Sequence, residues 1–145
     1  MMRRPAGRGL AALGLVLWSA LSACGPEDGP GLARGRVTIQ GTTVDVDVAR
    51  TPAERTQGLS GRASLPPGEG MLFLHERVGR HGYWMKDMRF AIDILWLRAG
   101  RVVDVAHRVP PPPAGTPESA LPVYQPRDDA DTVLEVPGGF ARTHG

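Results

Sequence analysis

Short apolar runs that alternate with polar residues at a period of two, each cut off by Gly or Pro, govern what this chain can become. In "RVTIQGTTVDVDVA", Arg36 to Ala49, Val37 and Ile39 alternate with polar neighbours, and Val44, Val46 and Val48 alternate with Asp45 and Asp47. Period two on both sides of a Gly41-Thr42 turn predicts a β-hairpin with one buried face. Asp45 and Asp47, opposite the valines, then belong to a solvated face and not to a paired-carboxylate site. The segments "GEGMLFLH" (Gly68–His75), "RVVDVAH" after an Ala99-Gly100 turn, and "DTVLEV" (Asp131–Val136) read as further strands, and Tyr83–Leu97 holds one or two more.

Other segments interrupt this pattern. "TPAERTQG" carries a capping box, with Thr51 as N-cap, Pro52 at the first helical position, Glu54 reaching back and Gly58 as the stop, which predicts a helix of two turns. "ERVGRHG" (Glu76–Gly82) reads as a polar loop, and "PGGFARTHG" (Pro137–Gly145) as a turn-rich tail. "RVPPPPAGTPESALP" (Arg108–Pro122) cannot supply ladder donors and reads as a surface loop. The expectation is a mainly β fold, a small antiparallel barrel or sandwich with one short helix.

The first residues follow another logic. Arg3, Arg4 and Arg8 precede the apolar run "LAALGLVLWSALSA", which ends in small residues, the layout of a secretory signal. "LSAC", Leu21–Cys24, resembles the lipobox of bacterial lipoproteins, where the Cys is lipidated and becomes the new N-terminus. Cys24 is the only cysteine, so no intrachain disulfide is available. Residues 1–23 are thus expected to be a lipoprotein signal peptide, residues 24–35 a flexible Gly/Pro tether, and residues 36–145 a single β domain. The 17 Lys+Arg and 15 Asp+Glu of the chain suggest a basic protein. Without the three leader arginines, 14 basic groups face 15 acidic ones, a net charge of −1 over 122 residues, and nothing points to nucleic acid. The lipid implied by the resemblance anchors the domain to the membrane. Gly25, where a retained lipoprotein would carry Asp, implies passage to the outer membrane, with the domain facing the periplasm.

"FAIDILWL", Phe90–Leu97, poses the sharpest chemical question. Alternation places Phe90, Ile92, Ile94 and Trp96 on one face and Ala91, Asp93, Leu95 and Leu97 on the other. A carboxylate among leucines is costly unless paired or hydrogen-bonded. Asp93 either caps backbone donors and holds the fold in register, or sits at a pocket floor as an acid, base or ligand anchor; Lys86 and Arg89 are the nearest basic partners in sequence. Trp84, beside the Met85-Lys86-Asp87 corner, is either core or a stacking wall for a sugar or peptide. His75, His81, His107 and His144 lack metal spacing, and Asp128-Asp129-x-Asp131 is half a calcium loop without its glycine bend or closing Glu. No nucleophile elbow or phosphate loop occurs, so neither cofactor nor metal is expected.

In order and spacing, "QGLSGR", "GEGMLFLH", "GYWMKDMRFAIDILWL", "RVVDV", "VYQP" and "TVLEVPGG" resemble the domain of unknown function 192 (DUF192) family. The matching positions are Tyr83, Trp84, Met85 and Lys86, then Ile92, Asp93 and Ile94, then Val133, Leu134 and Glu135. Asp87-Met88 stands where the family usually has Asn-Thr, and Ser60 where it usually has Met. Relatives usually continue past the position of Gly145, so the resemblance is to a lipoprotein-anchored member with a short C-terminus. It implies a compact β fold, often exported or lipid-anchored, and no established reaction. The expected function is a lipid-anchored envelope module that binds a glycan or protein partner through Trp84, Lys86, Asp93 and Glu135. The alternative is an envelope hydrolase with Asp93 and Glu135 as a carboxylate pair.

Overall fold

The computed structural model describes residues 31–145; the expected signal peptide, Cys24 and most of the expected tether lie outside the described residues. Strands β1 (Ala33–Ile39) and β2 (Thr42–Ala49) form the first hairpin. Its two-residue turn is Gln40-Gly41, one residue earlier than expected, with φ of 48° and 79°. Positive φ at both central positions gives the tight turn whose twist suits paired strands. The same device, Ala99-Gly100 at φ 49° and 74°, joins β4 (Ile92–Arg98) to β5 (Arg101–Val109). The strand β1 takes in Ala33–Gly35, three residues assigned above to the tether.

Helix α1 (Pro52–Gln57) forms where its capping box predicts: Thr51 accepts from the Glu54 amide, and the Glu54 carboxylate accepts from the amides of Thr51 and Arg50. After it comes β3 (Glu69–Gly79), which continues four residues into the segment expected to be a polar loop. Its far end, Glu76 to Val78, is exposed and therefore lacks the alternation that marks a strand. Only one regular strand, β4, begins within Tyr83–Leu97, and it ends at Arg98; Tyr83 makes an isolated antiparallel bridge with Tyr124. A short 3-10 turn at Glu118–Ala120 interrupts the proline-rich loop before β6 (Ala130–Pro137). The expected tail is α2 (Phe140–His144), a second short helix that the prediction of one did not include.

The six strands make one mixed sheet in the order β1-β2-β3-β6-β4-β5. Two expectations are corrected here. The β2–β3 pair is parallel, Val46 lying opposite Gly70, because α1 and the segment after it carry the chain back over the sheet before β3 begins. The remaining pairs are antiparallel, but the sheet is open between β1 and β5 and closes no barrel. It is mainly β with apolar residues on both faces.

On one face, side chains from all six strands gather with Phe140 of α2, among them Val44, Val46, Leu95, Leu97, Leu134 and Val136. Ile39 of β1 and Val102 and Val105 of β5 line one cavity of about 280 Å³ under α2, so the two edges curl toward each other. The Thr42 hydroxyl and the His144 Nδ1, 3.1 Å apart, fasten α2 to the first hairpin. The other face packs Met71, Phe73, Ile92, Ile94, Trp96 and Val133 beneath Leu59, Leu65, Met85 and Met88 from the connecting segments. Asp45 and Asp47 take the solvated side of β2, where Arg36 pairs with the first and Arg34 and Arg62 with the second.

Candidate functional site

The β4–β6 ladder decides where the two central carboxyls go. Asp93 pairs with Val136 and Ile94 with Glu135 without a register shift, so Asp93 and Glu135 point to opposite faces of the sheet. A carboxylate pair acting on one bond needs both groups on the same side, about 5 to 10 Å apart. The hydrolase pairing of Asp93 with Glu135 is therefore corrected: the sheet lies between them.

Asp93 is fully buried, on the face of Leu95 and Leu97. Its Oδ1 accepts from the backbone amides of Arg108 at 2.7 Å and Gly139 at 2.9 Å, and its Oδ2 from that of Ala141 at 2.8 Å. Lys86 and Arg89, the partners suggested by sequence, are not among them. At this point the β4–β5 ladder slips, between Ile92↔Val109 and Ile94↔Ala106, and Arg108 takes φ 45° in the bulge. Gly139, at φ 100°, opens α2. One carboxylate thus holds the bulge of β5 and the first turn of α2 against β4, with both of its oxygens engaged by backbone amides. The arrangement is that of a clasp.

Trp84, Lys86 and Glu135 come together on the other face. The segment Tyr83–Phe90 crosses it, held by Met85 and Met88 in the core. Ser60 Oγ donates to the Lys86 carbonyl at 2.8 Å, and the Gly61 amide to that of Asp87 at 3.0 Å. Asp87 turns the corner at φ 55°, a left-handed conformation that Asp and Asn tolerate better than other side chains. Between this corner and α1 lies an open groove of about 800 Å³, walled by Thr56, Gln57, Ser60, Lys86, Met88 and Arg89. A second hollow of about 340 Å³ lies between the corner and the proline-rich loop. Lys86 stands between the two. Its Nζ pairs with Glu118 and lies 5.5 Å from the centre of the Trp84 ring, and the hydrogen bond to Glu118 raises its pKa.

Beneath the groove is a slot of about 20 Å³ lined by Gly58, Leu59, Phe73, Tyr83, Trp84 and Glu135, and Thr56, Gln57, Ser60 and Met88 border both spaces. Glu135 is 5 % exposed, and burial pushes its pKa up to about 8 with no hydrogen bond or charge to offset it. Phe73 and Tyr83 meet edge to face at 5.0 Å. The Tyr83 hydroxyl lies 2.9 Å from His75 Nε2, and burial, then the Glu135 charge, raises its pKa strongly. His75 stacks on His81 at 3.5 Å; burial, then the charges of His81 and Arg55, lower its pKa to about 4. Arg55 reaches the slot's rim, where its Nη1 donates to the carbonyls of Arg50 and Leu74.

Arg55 is not picked out by the sequence, and His75 and Ser60 enter it only as a histidine without metal spacing and a departure from the family pattern, not as site residues. Period two does place His75 on the face of Met71 and Phe73 in β3, a signal that was legible. Arg55 and Ser60 come from the crossover, whose path no local pattern records. Among the described residues no group of three His, Cys, Asp or Glu side chains could hold a metal ion, and no helix is long and apolar enough to cross a membrane.

Two solved structures share this architecture. A protein of unknown function from Novosphingobium aromaticivorans DSM 12444 is 25% identical with a TM-score of 0.69, covering 93% of this chain and 94% of its own. A proposed transcription regulator from Sinorhizobium meliloti 1021 is 26% identical with a TM-score of 0.67, over 78% of this chain and 87% of its own. No curated protein matches the sequence. The sequence profile of DUF192, described as an uncharacterized ACR, matches residues 35–145, which takes in every strand but the first residues of β1. The chain belongs to the DUF192 family.

Proposed function

We propose that this protein is a lipid-tethered binding module of the bacterial envelope and that its working surface is the groove between α1 and the Lys86–Arg89 corner. The observation that supports this reading is the groove with a buried, unpartnered carboxyl directly under its floor. Retaining such a group costs stability, since nothing local offsets its desolvation. Around it the walls offer hydroxyl, amide, cationic and apolar side chains, a mixture suited to an extended glycan or peptide strand. Lipidation at Cys24 would keep the domain beside such polymers, and the outer membrane facing the periplasm is the proposed location. The regulator name of the Sinorhizobium relative finds no support in the charge of −1 that remains after residue 23.

A screen of envelope glycan fragments and short peptides against isotope-labelled residues 25–145, read by amide chemical shifts, tests the reading. Shifts concentrated at Gln57, Ser60, Lys86, Met88 and Arg89 are expected. Binding that perturbs only the α2 face, or no binding across the panel, would contradict it.

A further inference from the structure

The slot under the groove has a chemistry narrower than the groove itself. Its volume, about 20 Å³, exceeds the roughly 10–15 Å³ that holds a single water but leaves no room for a ring. Three aromatic side chains line it, Phe73, Tyr83 and Trp84, with the Glu135 carboxyl set among them. No hydrogen bond joins that carboxyl to a described residue, although no fully enclosed side-chain polar atom lacks a partner. The Glu135 oxygens therefore owe their freedom to the slot they face. Arg55, the cation in the slot's lining, does not act as counter-ion: its Nη1 donates to the carbonyls of Arg50 and Leu74, and no charge offsets the burial of Glu135.

A carboxyl ringed by aromatic faces attracts a compact cation on both counts, by its own charge and by the ring quadrupoles. A guanidinium is planar and broad, whereas an ammonium is a small point charge on a thin aliphatic stem. We propose that the slot over Glu135 is a subsite for a primary ammonium group at the end of an aliphatic chain, the lysine-type side chain of a peptide lying in the groove above. This rests on the groove being the binding surface, and it selects peptide over glycan as the occupant. The stem would pass Met88 and Ser60, which border both spaces.

The proton balance follows from the burial of Glu135, whose pKa of about 8 leaves it mostly protonated at pH 7. The arriving ammonium pairs with the carboxylate, and the carboxyl proton leaves to solvent. Binding therefore releases close to one proton at pH 7, and it strengthens about tenfold from pH 6 to 7 and about fivefold from pH 7 to 8.

Calorimetry on the full-length protein in non-ionic detergent tests this, with n-butylammonium and a lysine-containing tripeptide as probes, in two buffers of different ionisation heat. Expected are saturable binding, release of close to one proton, and no proton release with the norleucine tripeptide, which lacks only the amine. Glu135→Gln, the same shape without the ionisable oxygen, is expected to weaken both amine probes at least tenfold at pH 8. Binding of the amines without proton release, equal binding to Glu135→Gln, or no amine binding would overturn the proposal. The wild-type proton count decides even if the variant folds poorly. If the amines fail while other fragments still shift Lys86 and Arg89, the slot assignment falls and the groove stands. If every fragment fails, both fall.

Discussion

Asp93 and Glu135 sit one ladder step apart on neighbouring strands yet have opposite circumstances. Three backbone amides satisfy Asp93, so removing its carboxylate strands buried donors in two separate segments. Asp93→Ala is expected to cost about 3 kcal/mol, since each orphaned buried group costs roughly 1–3 and such losses overlap. Asp93→Asn keeps an acceptor and the shape and should cost less; urea unfolding of the two variants orders them. An unchanged midpoint for Asp93→Ala would contradict the clasp. Glu135 behaves in the reverse sense. Its folded pKa of about 8 lies above the ordinary 4.5, so the folded state holds the proton more tightly. Stability is then fully present below pH 4.5 and falls as pH rises through about 8, by on the order of 5 kcal/mol in all. His75, with its pKa lowered from 6.5 to about 4, works the other way and withdraws stability as pH falls through that window. Between pH 4.5 and 6.5 the two oppose each other, and above 6.5 Glu135 acts alone. Urea unfolding at pH 6 and pH 8.5 should show wild type losing stability at the higher pH and Glu135→Gln losing far less. Equal losses would mean that the carboxyl is not desolvated.

At the scale of elements, the β3–β6 seam brings backbone against backbone. A Cβ on Gly70 would stand 2.7 Å from the Glu135 carbonyl oxygen and 3.2 Å from Val136 and Val44. Backbone on the partner strand cannot move aside cheaply, so Gly70→Ala is expected to destabilise by about 1–3 kcal/mol or more. Thermal unfolding measures this, and an unchanged melting temperature would contradict the close approach. The seam also shows what the sequence could and could not reveal. Alternation marked both hairpins, β4 and β6, because each buries its faces in a regular pleat, and the capping box marked α1. It could not show that β2 and β3 run parallel, because period two states which face is buried and not which strand lies alongside. The last residues of β3 were hidden by their exposure, and α2 by its length, since five residues make little more than one turn and cannot show a repeating helical period. At the site, the leucines beside Asp93 correctly demanded partners for it, but the sequence suggested Lys86 and Arg89 where the structure supplies amides from Arg108, Gly139 and Ala141. The opposition of Asp93 and Glu135 depends on pairing Ile94 with Glu135, a register visible only in the assembled sheet.

At the scale of the whole molecule, the two faces divide the work. One face is stitched by Asp93 and capped by α2; the other carries the groove, with Lys86 over Trp84 at its rim and Glu135 below. Such a module is useful where its ligand is dense, which is what anchoring through Cys24 would provide. Cys24→Ala is expected to abolish labelling by a fatty-acid probe and leave an unprocessed precursor; normal processing to a soluble periplasmic form would contradict the anchor. The claim that the groove is the working surface is met most directly by photo-crosslinking in cells, with benzoylphenylalanine placed singly at Thr56, Arg89, Arg36 or Arg142. The first two positions line the groove, and the others lie on β1 and α2. Discrete adducts with an envelope component from Thr56 and Arg89, and none from Arg36 or Arg142, are the predicted result. Adducts from β1 or α2 with none from the groove would contradict it.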